Sequence, residues 1–340
     1  MRLKEPYAIA GHLHNSIKNT FITLEDSEGN IGIGSCATKN DSEESVRECF
    51  DILESFSSSL VGKELSQNEN TFGWIASELS LSTEANAAVD IALHDLWAKR
   101  ERETLVDALG KKHQCFDTSI TIGVASLEKT IEMAKRHIDN GFSILKIKIG
   151  DCVEEDIERM KALFELKPEE IKIRVDANRG YSKEELIKFY EETLHLGLEL
   201  IEQPMEVDQN NEMLYFPEEI RKICVADESL QNFDHAVRLV QEPKPFGVFN
   251  IKLMKCGGVY AAKKIAALAQ ENGIELMWGC FDESKVSISA ALHTALSCEN
   301  TQYIDLDGFF DLGWDLIEGG YTCENGIMSA IEKPGLGVYS

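Results

Sequence analysis

Asp176, Glu202 and Asp227 stand at the ends of three successive apolar runs, in RVDANRG, IEQP and VADES. If those runs are neighbouring strands, the acids sit ~4.8 Å from one strand to the next. Two like charges at ~4 Å repel by roughly 4 kcal/mol at an effective dielectric of about 20, so a cation must sit among them. Hard oxygen donors with no Cys or His suit Mg²⁺. Any one of these acids could instead cap the helix after its strand. Three in adjacent units, flanked by lysines, make a metal set the stronger reading. Lys146 and Lys148, in LKIKIG, are two apart, so on a strand both point to one face. Leu145, Ile147 and Ile149 fill the other face. Lys252, in NIKLMKCGG, comes from a later run. Lys255 falls outside that strand-end position and is expected at the surface.

Two lysines on opposite sides of a metal-bound carboxylate have a clear use. Hydrogen on the carbon next to a carboxylate is weakly acidic, and the dianion left by its removal needs a cation beside it. A base on one face takes the proton. A conjugate acid on the other face returns one, and the carbon is inverted. Burial and neighbouring charge must lower a lysine's pKa for it to act as a base near neutral pH. Two other readings are a Schiff-base lysine at 148 or 252 and a barrel that binds without turnover. Imine chemistry has no use for a three-acid metal set, and no position suited to catalysis is lost.

These residues need elements that bring them together. Eight apolar runs, at 119–124, 144–149, 171–175, 198–201, 223–226, 247–251, 274–277 and 302–306, alternate with amphipathic segments such as 127–140, 154–166, 183–195 and 259–272. Repeated β–α units of this kind argue for a parallel sheet, and eight for closure into a barrel. Residues 209–221 are the weakest interval. The expected fold is α/β, a (β/α)₇β-type modified TIM barrel with an α+β capping domain. Its expected division is a cap at 1–114, a barrel at 115–318 and a segment returning to the cap at 319–340. Within the cap, residues 21–25 and 31–34 flank a turn signal and predict a hairpin. Residues 41–56 predict a helix opening at Asp41 or Ser42. Residues 82–99 predict a helix with Ala85, Val89, Leu93 and Trp97 on one face.

The chain has 59 Asp plus Glu against 34 Lys plus Arg, a net charge of −25. Such a chain repels phosphate backbones and anionic membranes, which excludes nucleic acid and membrane partners. Apolar runs are too short to span a bilayer. The nine cysteines are scattered with no C-x-x-C, so reduced thiols and a cytoplasmic location are expected.

The motifs together resemble the enolase superfamily, in its muconate-lactonizing-enzyme subgroup, and within it the dipeptide epimerases. The resemblance runs over nearly the whole chain: ANAAVDIALHDLWAK, LKIKIG, VDANRG, IEQP, VADES, NIKLMKCGG and the terminal KPGLGVYS. It implies Asp176, Glu202 and Asp227 as Mg²⁺ ligands and Lys148 and Lys252 as the acid/base pair. It places Lys146 beside the substrate carboxylate. It also implies a small-molecule dipeptide substrate, with a homo-oligomer as an open expectation, and N-succinylamino acid racemase or o-succinylbenzoate synthase chemistry as the alternative in the same superfamily.

Asp305 and Asp307, in DLD, are two apart and face one side of strand eight. In dipeptide epimerases such a pair binds the free α-ammonium, and blocked or anionic substrates have no use for it. Thr121 matches a strand-one position facing the substrate, though a buried Thr bonding backbone is equally consistent. His12 stands where Glu-specific epimerases carry an Arg in the covering loop, here 9–18. Asp282 either lines the pocket or caps the helix at 285–297. The covering loop at 35–41 is short and lacks the usual acid, leaving room for a larger side chain. The expected preference is for neutral or basic dipeptides over Glu. Only residues 1–3 precede the segment aligned with 4–7, where the family usually has one more strand, so an unpaired sheet edge is expected.

Overall fold

A computed structural model describes residues 1–9, 12–39, 42–310 and 312–339, with side chains described outside 2–15. Strand β1 (Arg2–Ile9) pairs antiparallel with β2 (His12–Ser16). Residues 1–3 therefore form no separate strand. Among the described residues β1 pairs with β2 alone. The predicted hairpin is β3 (Asn19–Glu25) and β4 (Ile31–Ala37), in register from Asn19↔Ala37 to Glu25↔Ile31. Its turn is built by Asp26, whose Oδ1 accepts the N–H groups of Glu28 and Asn30. Gly29 takes φ +84° there, which L side chains resist.

Three helices complete the cap, α1 (Glu43–Leu60), α2 (Glu69–Glu78) and α3 (Thr83–Glu101), followed by the short α4 (Leu105–Ala108). Ser42, Asn68, Ser82 and Thr104 cap them with side-chain oxygens. The hairpin lies directly on α3. A Cβ at Gly34 would come within 1.9 Å of the Ala88 carbonyl oxygen, and one at Gly32 within 2.1 Å of that of Ala92. The one-face reading of α3 is too narrow, since every residue from Ala87 to Ala98 is buried. The hairpin covers one side of α3 and barrel helices cover the other.

After β5 (Phe116–Asp117) the barrel begins: β6 (Ile120–Ile122), α5 (Leu127–Asp139), β7 (Ile144–Lys148), α6 (Val153–Leu166), β8 (Lys172–Asp176), α7 (Lys183–Thr193) and β9 (Leu200–Glu202). The weak interval forms a 3₁₀ stretch (Val207–Tyr215) and the short α8 (Glu218–Ile223). Then follow β10 (Cys224–Ala226), α9 (Phe233–Leu239), β11 (Val248–Ile251), α10 (Leu253–Cys256), α11 (Val259–Glu271), β12 (Glu275–Gly279), α12 (Lys285–Leu296) and β13 (Thr301–Asp305). Strands β6 to β13 pair in sequence order, and a parallel bridge between Thr118 and Ile304 closes the ring. This is the expected (β/α)₇β barrel with an α+β cap. Parity along the strands sorts its interior. Leu200, Val225, Val248 and Met277 form an apolar layer. One step further along β9, β10 and β11 come Glu202, Asp227 and Asn250.

The chain ends in β14 (Glu318–Gly319), β15 (Tyr321–Glu324), β16 (Ile327–Ala330) and β17 (Val338–Tyr339). β16 pairs with β5, and the Gly335 carbonyl accepts the Leu105 N–H at 2.7 Å, beside the cap.

Candidate active site

The strand pairings Lys148↔Asp176, Asp176↔Glu202 and Glu202↔Val225 bring the C-terminal ends of β7 to β10 level. Asp176, Glu202 and Asp227 are 1%, 2% and 5% exposed, too deep to be solvated helix caps. The expected lysines meet them. Lys148 Nζ lies 2.7 Å from Asp176 Oδ2 and 2.8 Å from Asn178 Oδ1. Lys252, just past β11, lies 3.0 Å from Asp227 Oδ2. Lys146 sits deepest, 2.6 Å from Glu202, 2.7 Å from Asp305 and 3.1 Å from Asp176. It is ringed by acids rather than set out toward the mouth.

Three residues were misjudged or missed. Lys255, expected at the surface, is buried. Its Nζ donates to Asp227 Oδ1 at 2.5 Å and to the carbonyls of Asp227 and Asn250 at 2.7 and 3.2 Å. The cause is α10: one helical turn directly after β11 swings the residue three past Lys252 back under the strand end. Asn250 was missed, although it stands two before Lys252 on the inward face of an apolar strand. Its Nδ2 donates to Glu202 Oε1 at 2.7 Å. Gln203 was missed as well. It holds φ +32° straight after Glu202, and its Oε1 accepts the N–H groups of Asp227 and Ser229.

The remaining expected residues divide. Thr121 donates its backbone N–H to Asp307 Oδ2 at 2.7 Å. Asp305 binds Lys146, and Asp307 is half-buried. Asp282 is half-buried, just before α12, where Ser284 caps the helix and Asp315 accepts the Lys285 N–H. His12 lies on β2, and the expectation for its side chain falls outside the described residues.

Burial alone would lower Lys252, but the carboxylates of Asp227 and Glu202 outweigh it and hold its ammonium above the ordinary lysine range. The lowered pKa expected of a base is therefore not a property of the protein groups alone. Burial, then the charge of Asp176, pushes Glu202 up to about 7. Burial, then Asp305, does the same to Asp307. The donor set fits a hard divalent cation on three counts. It is all oxygen. Glu202 is left short of positive charge. The buried Asn250 Oδ1 has no hydrogen-bond partner. Among the described residues the acids do not form a ready-made cage, because the lysines stand between them.

A model of the enolase C-terminal domain-like family matches residues 129–339. The mandelate racemase / muconate lactonizing enzyme N-terminal domain matches residues 1–110. The chain is 43% identical to the L-Lys-D/L-Arg epimerase of Desulforapulum autotrophicum, over 99% of this chain and 96% of that one. It is 34% identical to the L-Ala-D/L-Glu epimerase of Clostridium acetobutylicum, over 99% and 95%. A crystal structure of a dipeptide epimerase from Methylococcus capsulatus, complexed with Mg and the dipeptide L-Arg-D-Lys, superposes with a TM-score of 0.95 at 38% identity. That match covers 100% of this chain and 96% of the other. No helix among the described residues is long and apolar enough to cross a membrane.

Proposed function

The chain belongs to the enolase superfamily, in its mandelate racemase and muconate lactonizing enzyme branch, and on that footing we propose that it is a Mg²⁺-dependent dipeptide epimerase inverting the α-carbon of the C-terminal residue. The observation that carries the reading is the symmetry of the strand-end cluster. Lys148 pairs with the acid at one side of the set and Lys252 with the acid at the other. Mg²⁺, held by Asp176, Glu202 and Asp227, would supply fixed positive charge beside the substrate carboxylate and offset the negative charge that keeps Lys252 protonated. Lys148 and Lys252 face the α-carbon from opposite sides. One takes its proton and the other returns one. Lys146 balances the charge of the substrate carboxylate, and the acids at the end of β13 supply the negative charge for the α-ammonium.

For the side chains we propose a preference for basic dipeptides, with neutral ones accepted and Glu disfavoured. The net charge of −25 and the half-buried Asp282 at the barrel mouth suit a cationic ligand. Two relatives named L-Lys-D/L-Arg epimerase are 43% and 38% identical to this chain. The test is a dipeptide library incubated in D₂O with Mg²⁺ and read by mass spectrometry. A one-deuteron gain at the second residue, strongest for Lys- and Arg-containing dipeptides, is the expected result. Turnover confined to Xaa-Glu would sink the preference. Uptake by N-succinylamino acids and by no dipeptide would replace the reaction with that alternative.

A further inference from the structure

Asp305 and Asp307 share a strand face but not a situation. Asp305 is fixed from every side. Its Oδ1 accepts the Ser119 hydroxyl at 2.5 Å, and its Oδ2 accepts Lys146 Nζ at 2.7 Å. The backbone on either side is tied as well. The Ile304 carbonyl accepts Arg174 Nη1 at 2.9 Å, and the Leu306 N–H donates to Thr118 Oγ1 at 2.9 Å. Ser119 itself is fully buried, with Arg174 Nη1 3.5 Å from its oxygen. Asp307 is half-buried and held by Thr121 alone among the described residues.

We infer that Ser119 is a positioning residue that commits Asp305 to Lys146, leaving Asp307 as the carboxylate that meets the substrate's ammonium. The inference rests on the dipeptide reading above. The hydroxyl occupies one oxygen of Asp305 and turns the other toward Lys146. A second ammonium on that oxygen would sit against the first, and the two like charges repel. Among the described residues no lysine forms an ion pair with Asp307, and its hydrogen bonds come from the neutral Thr121. The pair therefore divides its labour: Asp305 keeps Lys146 in place over Asp176 and Glu202, while Asp307 recognises the free amine. Ser119 stands two before Thr121, so on the strand leading into β6 the two side chains share a face. The Ser119 hydroxyl serves Asp305, and the Thr121 backbone N–H serves Asp307.

The test compares Ser119→Ala with Asp307→Asn, each with Mg²⁺, on L-Lys-L-Arg and on its N-acetyl counterpart. Ser119→Ala should lower kcat roughly tenfold on both compounds, the scale of one charge-assisted hydrogen bond, with KM for the free dipeptide held within about twofold. Asp307→Asn should raise KM roughly tenfold for the free dipeptide, and several-fold more than for the acetylated one. A readout independent of turnover is the Lys146 ammonium resonance in ¹⁵N-lysine-labelled protein, assigned by its loss in Lys146→Arg. It should move in Ser119→Ala and stay in place in Asp307→Asn. An unmoved resonance in Ser119→Ala overturns the inference. So does a rise in KM for the free dipeptide alone in that variant. If the wild-type protein exchanges no dipeptide, the epimerase reading falls, and the resonance still decides the role of Ser119.

Discussion

Asp90 and Asp95 on α3 are buried as deeply as Asp176 and Glu202 at the strand ends, 2% and 0% exposed against 1% and 2%. Their partners differ in kind. Asp90 accepts the N–H groups of Val259 and Tyr260, the first residues of barrel helix α11. Asp95 accepts those of Ile33 on the hairpin and Leu336 in the C-terminal segment, together with Lys99 Nζ. Gly258 and Gly335 leave room for these carboxylates. A Cβ at either would fall within 2.5 Å of the Asp side chain. So the acids of α3 fasten the cap to the barrel by capping a helix and stapling loops. The strand-end acids are met chiefly by ammonium groups, which can exchange partners when a ligand arrives. Asp90 and Asp95 are thus held chiefly by backbone N–H groups, and Asp176, Glu202 and Asp227 chiefly by lysines.

The largest test of that distinction is Lys252→Arg. It keeps a cation beside Asp227, but a guanidinium neither gives nor takes a proton near neutral pH. Deuterium exchange at the substrate α-carbon should fall on the order of 10³-fold, the range for losing a general acid–base group. Unfolding free energy from urea titration should stay within about 1 kcal/mol, as for changes that leave burial and pairing intact. The opposite split is expected for Asp90→Ala. It strips a cap and leaves the buried Val259 and Tyr260 N–H groups without an acceptor, a cost of roughly 2–4 kcal/mol. Exchange per folded molecule should hold within a few-fold. A variant of Asp90 that kept its stability and lost its turnover would put α3 in the active site.

Most of the barrel was legible in the sequence, because eight short apolar runs alternate with amphipathic segments. The metal-type acids and the lysines were legible for another reason: parity puts Lys146 with Lys148 and Asp305 with Asp307. Parity does not say what each side chain finds opposite. That is why the Ser119 contact was invisible and why the DLD pair read as two equivalent acids. Lys255 was misplaced because a single helical turn, α10, interrupts the strand-to-helix pattern and is too short to leave a period. The all-round burial of α3 was also out of reach, since a helix clasped between a hairpin and a barrel carries no amphipathic stripe. For Asp282 the sequence offered two roles. Ser284 and Asp315 contact the start of α12, and Asp282 stands half-buried just before it.

A third buried polar group joins the same seam and gives a smaller, pH-dependent effect. His293 on α12 accepts the Val106 N–H on its Nδ1 at 3.0 Å, and burial pushes its pKa down to about 4. The unfolded chain binds this proton at about 6.5 and the folded chain only near 4. Its stabilising contribution is therefore complete above about 6.5 and is lost as pH falls toward 4. Linkage puts the loss at ~2 kcal/mol by pH 5. His293→Asn keeps an acceptor near the Nδ1 position and has nothing to titrate. Urea titrations at pH 7.5 and 5.0 should show the wild type losing ~2 kcal/mol more than the variant. Equal losses would mean that the imidazole is not the proton acceptor in this window.

The smallest effect belongs to charges that are neither capped nor enclosed. Lys285 Nζ lies 3.0 Å from Glu318 Oε2, joining the start of α12 to β14. Its side chains are 27% and 66% exposed, so water competes with the pair. Lys285→Ala should cost on the order of 0.5 kcal/mol at low salt. That cost should fade at about 0.5 M salt, where screening shortens the reach of exposed charges. The Asp90 effect should survive the same salt, because its partners are buried N–H groups. If Lys285→Ala instead matched Asp90→Ala in size and salt response, distance alone would set the worth of a contact here. The contrast between backbone-held and lysine-held acids would then lose its physical basis.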